Sequence, residues 1–249
     1  MKKITFLALL FIFSNTIYAQ SWLEVGLKGG ASLDFLINKN ASSDITHTSK
    51  FSYGYTYGGK LGWNFNEAHS ITLDVLYTGF SKTYDYYVTN PADSTKKNFY
   101  NKNFNFNSLD FLLMYRHVKN SSYFEIGPMV SSVKKASATD EQPGSIFNGD
   151  ISNNLVQKYY SAVIGAGGML AGTENFRVIL GFRVMYTFSD IVSADGQKIN
   201  FPTGNKYGSY SQSNPISAMM VMELNYDLGF MAKSNCKKKK RSFLLFKNR

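Results

Sequence analysis

Phe51-Ser52-Tyr53-Gly54-Tyr55-Thr56-Tyr57-Gly58-Gly59-Lys60-Leu61-Gly62-Trp63-Asn64-Phe65 is the stretch that decides the fold. Its odd positions carry Phe51, Tyr53, Tyr55, Tyr57, Leu61, Trp63 and Phe65. Its even positions carry Ser52, Gly54, Thr56, Gly58, Lys60, Gly62 and Asn64. A strand sends successive side chains to opposite faces, so one face is aromatic and aliphatic and the other small or polar. A helix would need apolar residues every three or four positions, and that period is nearly absent along the chain.

The same alternation recurs outward from this stretch. Leu23, Val25 and Leu27 precede it; Ile71, Leu73, Val75 and Tyr77 follow, then Leu109, Phe111, Leu113 and Tyr115. Further on come Phe124, Ile126 and Val130, then Ala162, Ile164 and Ala166, then Val178, Leu180, Phe182, Val184 and Tyr186. The last set is Met220, Met222, Leu224, Tyr226, Leu228 and Phe230. That makes eight strands. The connections alternate between tight turns (Asn66–His69, Val118–Ser122, Ala171–Asn175) and long polar stretches (Asp34–Lys50, Thr83–Asn103, Lys134–Lys158, Asp190–Asn214). Short turns on one rim and long loops on the other characterise outer-membrane barrels.

Two arguments turn the aromatic face outward. An eight-stranded barrel has an interior just wide enough for side chains or one small ligand. Trp63, Tyr53, Tyr55, Tyr57, Phe111, Phe182 and their companions would overfill it, as they would in a soluble, lipocalin-like barrel. The opposite face is rich in Gly, Ser, Thr and Asn with sparse charge, which suits a crowded lumen. In hydrocarbon every backbone N–H and C=O needs a partner, so the first strand must close on the last. The expected fold is therefore all-β: an eight-stranded antiparallel transmembrane up-and-down β-barrel with short periplasmic turns and long extracellular loops.

The ends read differently. Lys2 and Lys3 precede the short apolar run Ile4–Phe13, and Tyr18-Ala19-Gln20 offers a cleavage point after Ala19, so residues 1–19 read as a signal peptide. Residues 20–230 are then the outer-membrane barrel and 231–249 a basic periplasmic tail. The formal charge of +10 is uneven: two of the 27 basic residues lie in the leader and eight in the tail, leaving 17 against 17 acidic residues. The folded body is neutral, which excludes a nucleic-acid partner as a reading of its pI. The single cysteine, Cys236, excludes an internal disulfide and Cys-rich metal sites. In the tail, Lys237, Lys238, Lys239, Lys240 and Arg241 suit anionic headgroups or an acidic partner, and Phe243–Phe246 suit an interface; a solvated tail is the plainer reading.

The inward face carries Glu24, Asp74, Asp110, Glu125, Glu223 and Asp227 against Lys28, Lys60, Arg116, Arg177 and Arg183. Charges in a narrow barrel survive only when paired and hydrogen-bonded, so these residues are expected to form a lumen ion-pair network with Lys28, Glu223 and Arg183 at its centre. Such a network reads as a plug rather than a pore or proton path, because eight strands leave no continuous channel.

Several segments together resemble the PorT-like outer-membrane β-barrel family, a relative in shape of the OmpA-type barrel. They are Glu24–Gly30, Leu73–Ser81, Ser108–Tyr115, Phe124–Met129, Arg183–Ile191 and the closing strand. The likeness spans nearly all of the mature chain and is one of strand chemistry. It implies an integral outer-membrane location and, through the family's name-giving member, an accessory role in type IX protein secretion. It supplies no catalytic residues. By the same resemblance, Tyr226, Leu228 and Phe230 read as the insertion signal for the barrel-assembly machinery.

No enzyme is expected and no cofactor or metal. His47, His69 and His117 are scattered, and a lone loop histidine such as His47 reads as solvated. Asp34, Asp44, Asp85, Asp190 and Asp195 could meet at the outer rim around a divalent cation, with solvated loop charge the plainer reading. Gly165–Gly168 lies in a strand and needs no ligand. The leading expectation is a non-enzymatic barrel with outer-membrane lipid and envelope or secretion proteins as partners. A surface receptor or adhesin comes second, using loop aromatics (Tyr86, Tyr87, Tyr100, Phe147, Phe201, Tyr207, Tyr210) as contact surface. A lipid-modifying enzyme or small pore comes last.

Overall fold

A computed structural model describes residues 21–90, 93–173 and 175–230. The leader with its cut after Ala19, and the tail with Lys237–Arg241, lie outside the described residues. Eight long strands follow one another: β1 (Trp22–Ile37), β2 (Ser52–Asn64), β3 (His69–Asn90), β4 (Asp93–Lys119), β5 (Ser122–Asp140), β6 (Lys158–Gly172), β7 (Phe176–Thr187) and β8 (Asn214–Phe230). Each pairs antiparallel with its neighbour in sequence. β1 closes the sheet on β8, from Trp22 opposite Phe230 to Ile37 opposite Asn214. The sheet is a closed up-and-down barrel. Among the described residues no helix is long and apolar enough to cross a membrane.

One rim has short connections; that between β4 and β5 turns at Asn120, whose φ of 56° is a left-handed conformation asparagine tolerates. The other rim is elaborate. After β1 comes a short helix, α1 (Lys39–Ser43), capped where Asn38 Oδ1 accepts from the Ala41 N–H at 2.9 Å. The β7–β8 connection holds α2 (Ala194–Lys198), capped by Ser193.

In the lower barrel, near the short turns, the facing follows the sequence. Trp63, Leu73, Phe111, Phe182, Leu224 and Tyr226 are exposed on the outside, while Asp74, Thr72, Glu125, Arg183 and Glu223 are buried inside. Apolar side chains share the interior: Leu76, Leu112, Met114, Val163 and Val221 are all buried there. Two glycines make room for charged side chains. A Cβ at Gly62 would come within 3.0 Å of Glu24 Cγ, and one at Gly165 within 2.9 Å of Glu125 Oε1.

Above this zone the structure departs from the expected loops. Thr83–Asn103 is mostly a tall hairpin, because β3 runs to Asn90 and β4 begins at Asp93. Lys134–Asp140 continues β5 rather than opening a loop. β4 has 27 residues, more than twice the ~9–11 that cross a membrane. The reason these polar, Asn-rich segments hold as strands is that their apolar face has moved from the outside to the inside. On β4, Leu109, Phe111, Leu113 and Tyr115 point outward low in the barrel, and Asn101, Asn103, Asn105 and Asn107 point outward above them. The inward set changes from Ser108, Asp110 and Arg116 to Phe106 and Phe104, which are buried. β3 changes in step, with Ser81 and Thr83 outward and Phe80, Tyr84 and Tyr86 buried inward.

Those inward rings build a second core at the long-loop end. Phe80 stacks on Phe106 with centroids 4.6 Å apart. Phe104 lies 4.8 Å from Phe201 of the β7–β8 connection and 5.8 Å from Phe147 of the β5–β6 connection. Leu36, Ile151, Leu155, Ile191 and Val192 pack into the same cluster. Each such side chain contributes about 2 kcal/mol on burial, which holds strands that propensity alone would not.

Candidate functional site

Ten of the eleven charged lumen residues meet in one connected set. Glu223 is its hub: its carboxylate lies 3.1 Å from Lys28 Nζ, 3.1 Å from Lys60 Nζ, 2.6 Å from Arg116 Nη2 and 3.9 Å from Arg183 Nη2. Arg183 also reaches Asp74 at 2.9 Å and Glu125 at 2.6 Å, and Arg116 reaches Glu125 at 2.7 Å. Lys28 pairs with Asp74, Lys60 with Glu24, and Arg177 with both Glu24 and Asp227. Five cations face five anions, so the buried set is neutral. The Arg116 guanidinium also lies 4.0 Å from the ring centroid of Tyr123.

Asp110 is the exception. It has no ion pair among the described residues and instead accepts from Ser108 Oγ at 2.7 Å. The expected centre of Lys28, Glu223 and Arg183 is correspondingly wider, because Arg116, Lys60, Asp74 and Glu125 share it. For the expected insertion signal, Tyr226 and Leu228 are exposed on the outer face of β8, and Phe230 is placed by its backbone pairing with Trp22. His69 and His117 sit opposite each other at the short-turn rim, with rings 4.9 Å apart.

The rim carboxylates do not converge. Asp34 is buried in the lumen, where Ser32 and Ser217 each donate to it at 2.8 Å. Asp85 pairs with Lys50 at 2.5 Å, Asp195 with Lys198 at 2.6 Å, and Asp190 accepts from Tyr210 at 2.6 Å. Among the described residues no cluster of three or more metal-ligating side chains forms.

Two further expectations are overturned. His47 is not solvated: its side chain is 2% exposed and its ring stacks on Tyr86 at 5.0 Å. Tyr86, Phe147 and Phe201, expected as contact surface, are buried in the upper core; Tyr210 stays exposed. Folding the rims inward excludes water from rings that would otherwise stand in it.

What they enclose is a cleft of about 610 Å³ at the outer end, lined by His47, Tyr86, Tyr87, Lys102, Gln142 and Phe147 among others. Lys102 Nζ sits between two rings, 4.6 Å from the Tyr86 centroid and 4.2 Å from that of Phe147. It donates to the Thr203 carbonyl at 3.1 Å and faces Asp140 at 3.5 Å. Burial pushes the Lys102 ammonium below its ordinary range, and Asp140 opposes that. Burial would raise Asp140 too, but hydrogen bonds from Ser145, Tyr86 and the Gln142 N–H hold it low. Beside the cleft, Asp44 is treated likewise: burial is outweighed by donors from Thr46, Tyr207 and Asn205, which keep it well below the usual carboxylate range. His47 is lowered by burial, with Asp44 opposing. The sequence reading missed Lys102, Gln142 and the meeting of Asp44 with His47. The available signal was Asn101-Lys102-Asn103-Phe104-Asn105-Phe106, an alternation whose phase is opposite to that of the lower barrel.

No protein-family model matches the chain, and no curated protein matches it. Solved structures similar to it are small outer-membrane barrels. Neisserial surface protein A shares 14% identity over 80% of this chain and 96% of that one, with a TM-score of 0.41. The outer-membrane protein OprG from Pseudomonas aeruginosa shares 11% over 84% and 97%, with a TM-score of 0.42. The attachment invasion locus protein Ail of Yersinia pestis, solved with the heparin analogue sucrose octasulfate, shares 12% over 82% and 99%, with a TM-score of 0.37. These likenesses are to the path of the barrel and assign no residue a role.

Proposed function

We propose that this chain is an exported, integral outer-membrane β-barrel that holds a folded head above the outer leaflet and acts as a non-enzymatic surface receptor. The observation that carries this reading is the exchange of apolar and polar chemistry between the two faces of β3 and β4. An apolar outer belt with a neutral ion-paired interior suits a bilayer; a polar outside over a ring-packed interior suits water. The plugged lumen speaks against a pore. The His47 Nε2 has no hydroxyl partner among the described residues, which speaks against a nucleophile activated there. The PorT-like resemblance would add a secretion or anchoring role on the periplasmic side. The described connections on that rim are short, so the head offers the larger ordered surface.

The test is an epitope inserted at Lys206, in the β7–β8 connection, read by antibody on intact cells, together with planar-bilayer recording of the purified chain. Antibody access without permeabilisation and no steady, large conductance are expected. An epitope reached only after permeabilisation, or a steady open channel, would contradict the proposal.

A further inference from the structure

His69 and His117 stand directly across from each other where β3 leaves the short-turn rim and β4 returns to it. Both have outward parity, shared with Ile71 and Leu73 on β3 and with Leu113 and Tyr115 on β4. The Val118 N–H donates to the Ala68 carbonyl at 2.7 Å, so Ala68 and Val118 form a hydrogen-bonded pair. His69 and His117, one step along, are then a non-hydrogen-bonded pair, whose Cα atoms approach to about 4.5 Å and whose side chains are the closer ones. Their rings lie 4.9 Å apart, centre to centre, with planes inclined at 42°. Both side chains are half-buried and open to one side.

That spacing is the spacing of a chelate. A divalent ion held ~2.0–2.1 Å from one nitrogen of each ring, at a tetrahedral angle, sets two imidazole centres roughly 5 Å apart. An orienting partner is also in place, because Tyr115 Oη lies 2.6 Å from His69 Nδ1. With Nδ1–H donating to that oxygen, Nε2 carries the lone pair, and ligating histidines are ordinarily fixed by such a bond from their other nitrogen. The height of the pair makes it reachable. From Leu109 to His117 is eight residues. At ~3.3 Å each on a strand tilted ~35–45°, they descend roughly 20 Å, close to the depth of a lipid-facing band. The histidines thus stand at the inner edge of that band, beside Phe65 and Phe124 on the neighbouring strands, where aqueous ions arrive. Imidazole suits zinc, copper and nickel, whereas Ca²⁺ and Mg²⁺ take oxygen ligands. We infer that the short-turn rim binds one divalent transition-metal ion of the Zn²⁺ class between His69 and His117, with solvent completing its coordination. The ion clips β3 to β4 below the lumen network. The histidines look scattered in chain order, and strand pairing is what brings two of the three together.

The pair lies at the opposite end of the barrel from the head, so this assignment stands apart from the receptor reading. The test uses the full exported chain without a histidine tag, in detergent and a buffer that does not chelate. It carries Cys236→Ser, so that the tail thiol does not compete. Calorimetric titration with zinc chloride is expected to show one-to-one binding with a Kd on the order of 1–100 µM, as two donors rather than the four of a structural site imply. Calcium chloride is expected to show none. His69→Phe and His117→Phe each keep a ring at the rim and remove a ligand, and each should weaken Zn²⁺ binding about tenfold or more. Should a variant lose the gel mobility of the folded barrel, the parent chain decides. Its labelling by diethyl pyrocarbonate, read by mass spectrometry, should fall several-fold at both His69 and His117 with Zn²⁺ and stay level with Ca²⁺. No Zn²⁺ binding up to about 1 mM overturns the inference. So does binding unchanged in a folded variant, an equal response to Ca²⁺, or undiminished labelling of the two rings; each of these leaves the pair a stack of rings in the interfacial belt.

Discussion

The two halves of β4 obey opposite rules. From Leu109 to Arg116 the strand turns Leu109, Phe111, Leu113 and Tyr115 outward and Asp110, Leu112, Met114 and Arg116 inward; from Asn101 to Asn107 it turns asparagine outward and Phe104 and Phe106 inward. The backbone pairs with β3 throughout, so local structure does not distinguish the halves. What differs is the solvent that each outer face meets. A period-two pattern thus fixes a strand, and its phase reports which side is wet. The same contrast separates two kinds of stability: the lower half depends on matched buried charge, the upper on packed rings.

The sharpest way to break the lower half is to remove its hub. Glu223→Ala leaves Lys28, Lys60 and Arg116 partly unanswered in the lumen, and destabilisation of about 3–5 kcal/mol is expected from urea unfolding in micelles. Phe104→Ala attacks the upper half instead. It should cost about 3–4 kcal/mol and act locally, making the head sensitive to trypsin while the barrel keeps its folded gel mobility. An arginine pair on β4 sharpens the contrast further. Leu113→Arg on the lipid-facing side should cost about 2–3 kcal/mol, and Asn103→Arg on the same face higher up should stay within about 0.5 kcal/mol.

The smallest expected effect is that of pH on the head. His47 and Asp44 both have lowered folded-state proton affinity, so the unfolded state binds the extra proton first as pH falls. The stability they contribute is complete above pH 6.5. The His47 part is lost as pH drops below its ordinary value of 6.5, and the Asp44 part below 3.8. His47 is faced by Asp44, Lys102 and Asp140 and by the Tyr84 and Tyr86 rings. Protection of head amides against hydrogen exchange, corrected for the fall of the intrinsic rate with pH, should therefore drop between about pH 6.5 and 5 in the parent and stay level in His47→Phe.

The lower barrel was legible because its outer face is chemically uniform. Tyr57 to Trp63, Leu73 to Tyr77 and Val178 to Tyr186 each declare both strand and facing. The charged residues of the lumen could be named from parity alone. Their partners could not: Asp110 has the same parity as Asp74, yet it accepts from Ser108 two residues back on its own strand, while Asp74 receives Lys28 and Arg183 from other strands. The head was obscured by composition. Asparagine reads as a loop former, so Asn101–Asn107 hid a strand whose alternation was present but reversed. The cleft was less legible still, because Asp44 and His47, Lys102 and Gln142 come from three separate segments that only tertiary packing brings together.

The central claim is that the outer face of β4 passes from hydrocarbon to water between Leu109 and Asn107. A spin-label scan tests it most directly. Cys236 is replaced by serine, single cysteines are placed at 101, 103, 105, 107, 109, 111, 113 and 115, and each label is probed in lipid vesicles with oxygen and with a water-soluble nickel chelate. Labels at 109–113 should be relaxed by oxygen and shielded from the chelate, and those at 101–105 the reverse. Chelate access at 111 and 113 equal to that at 103 would contradict it.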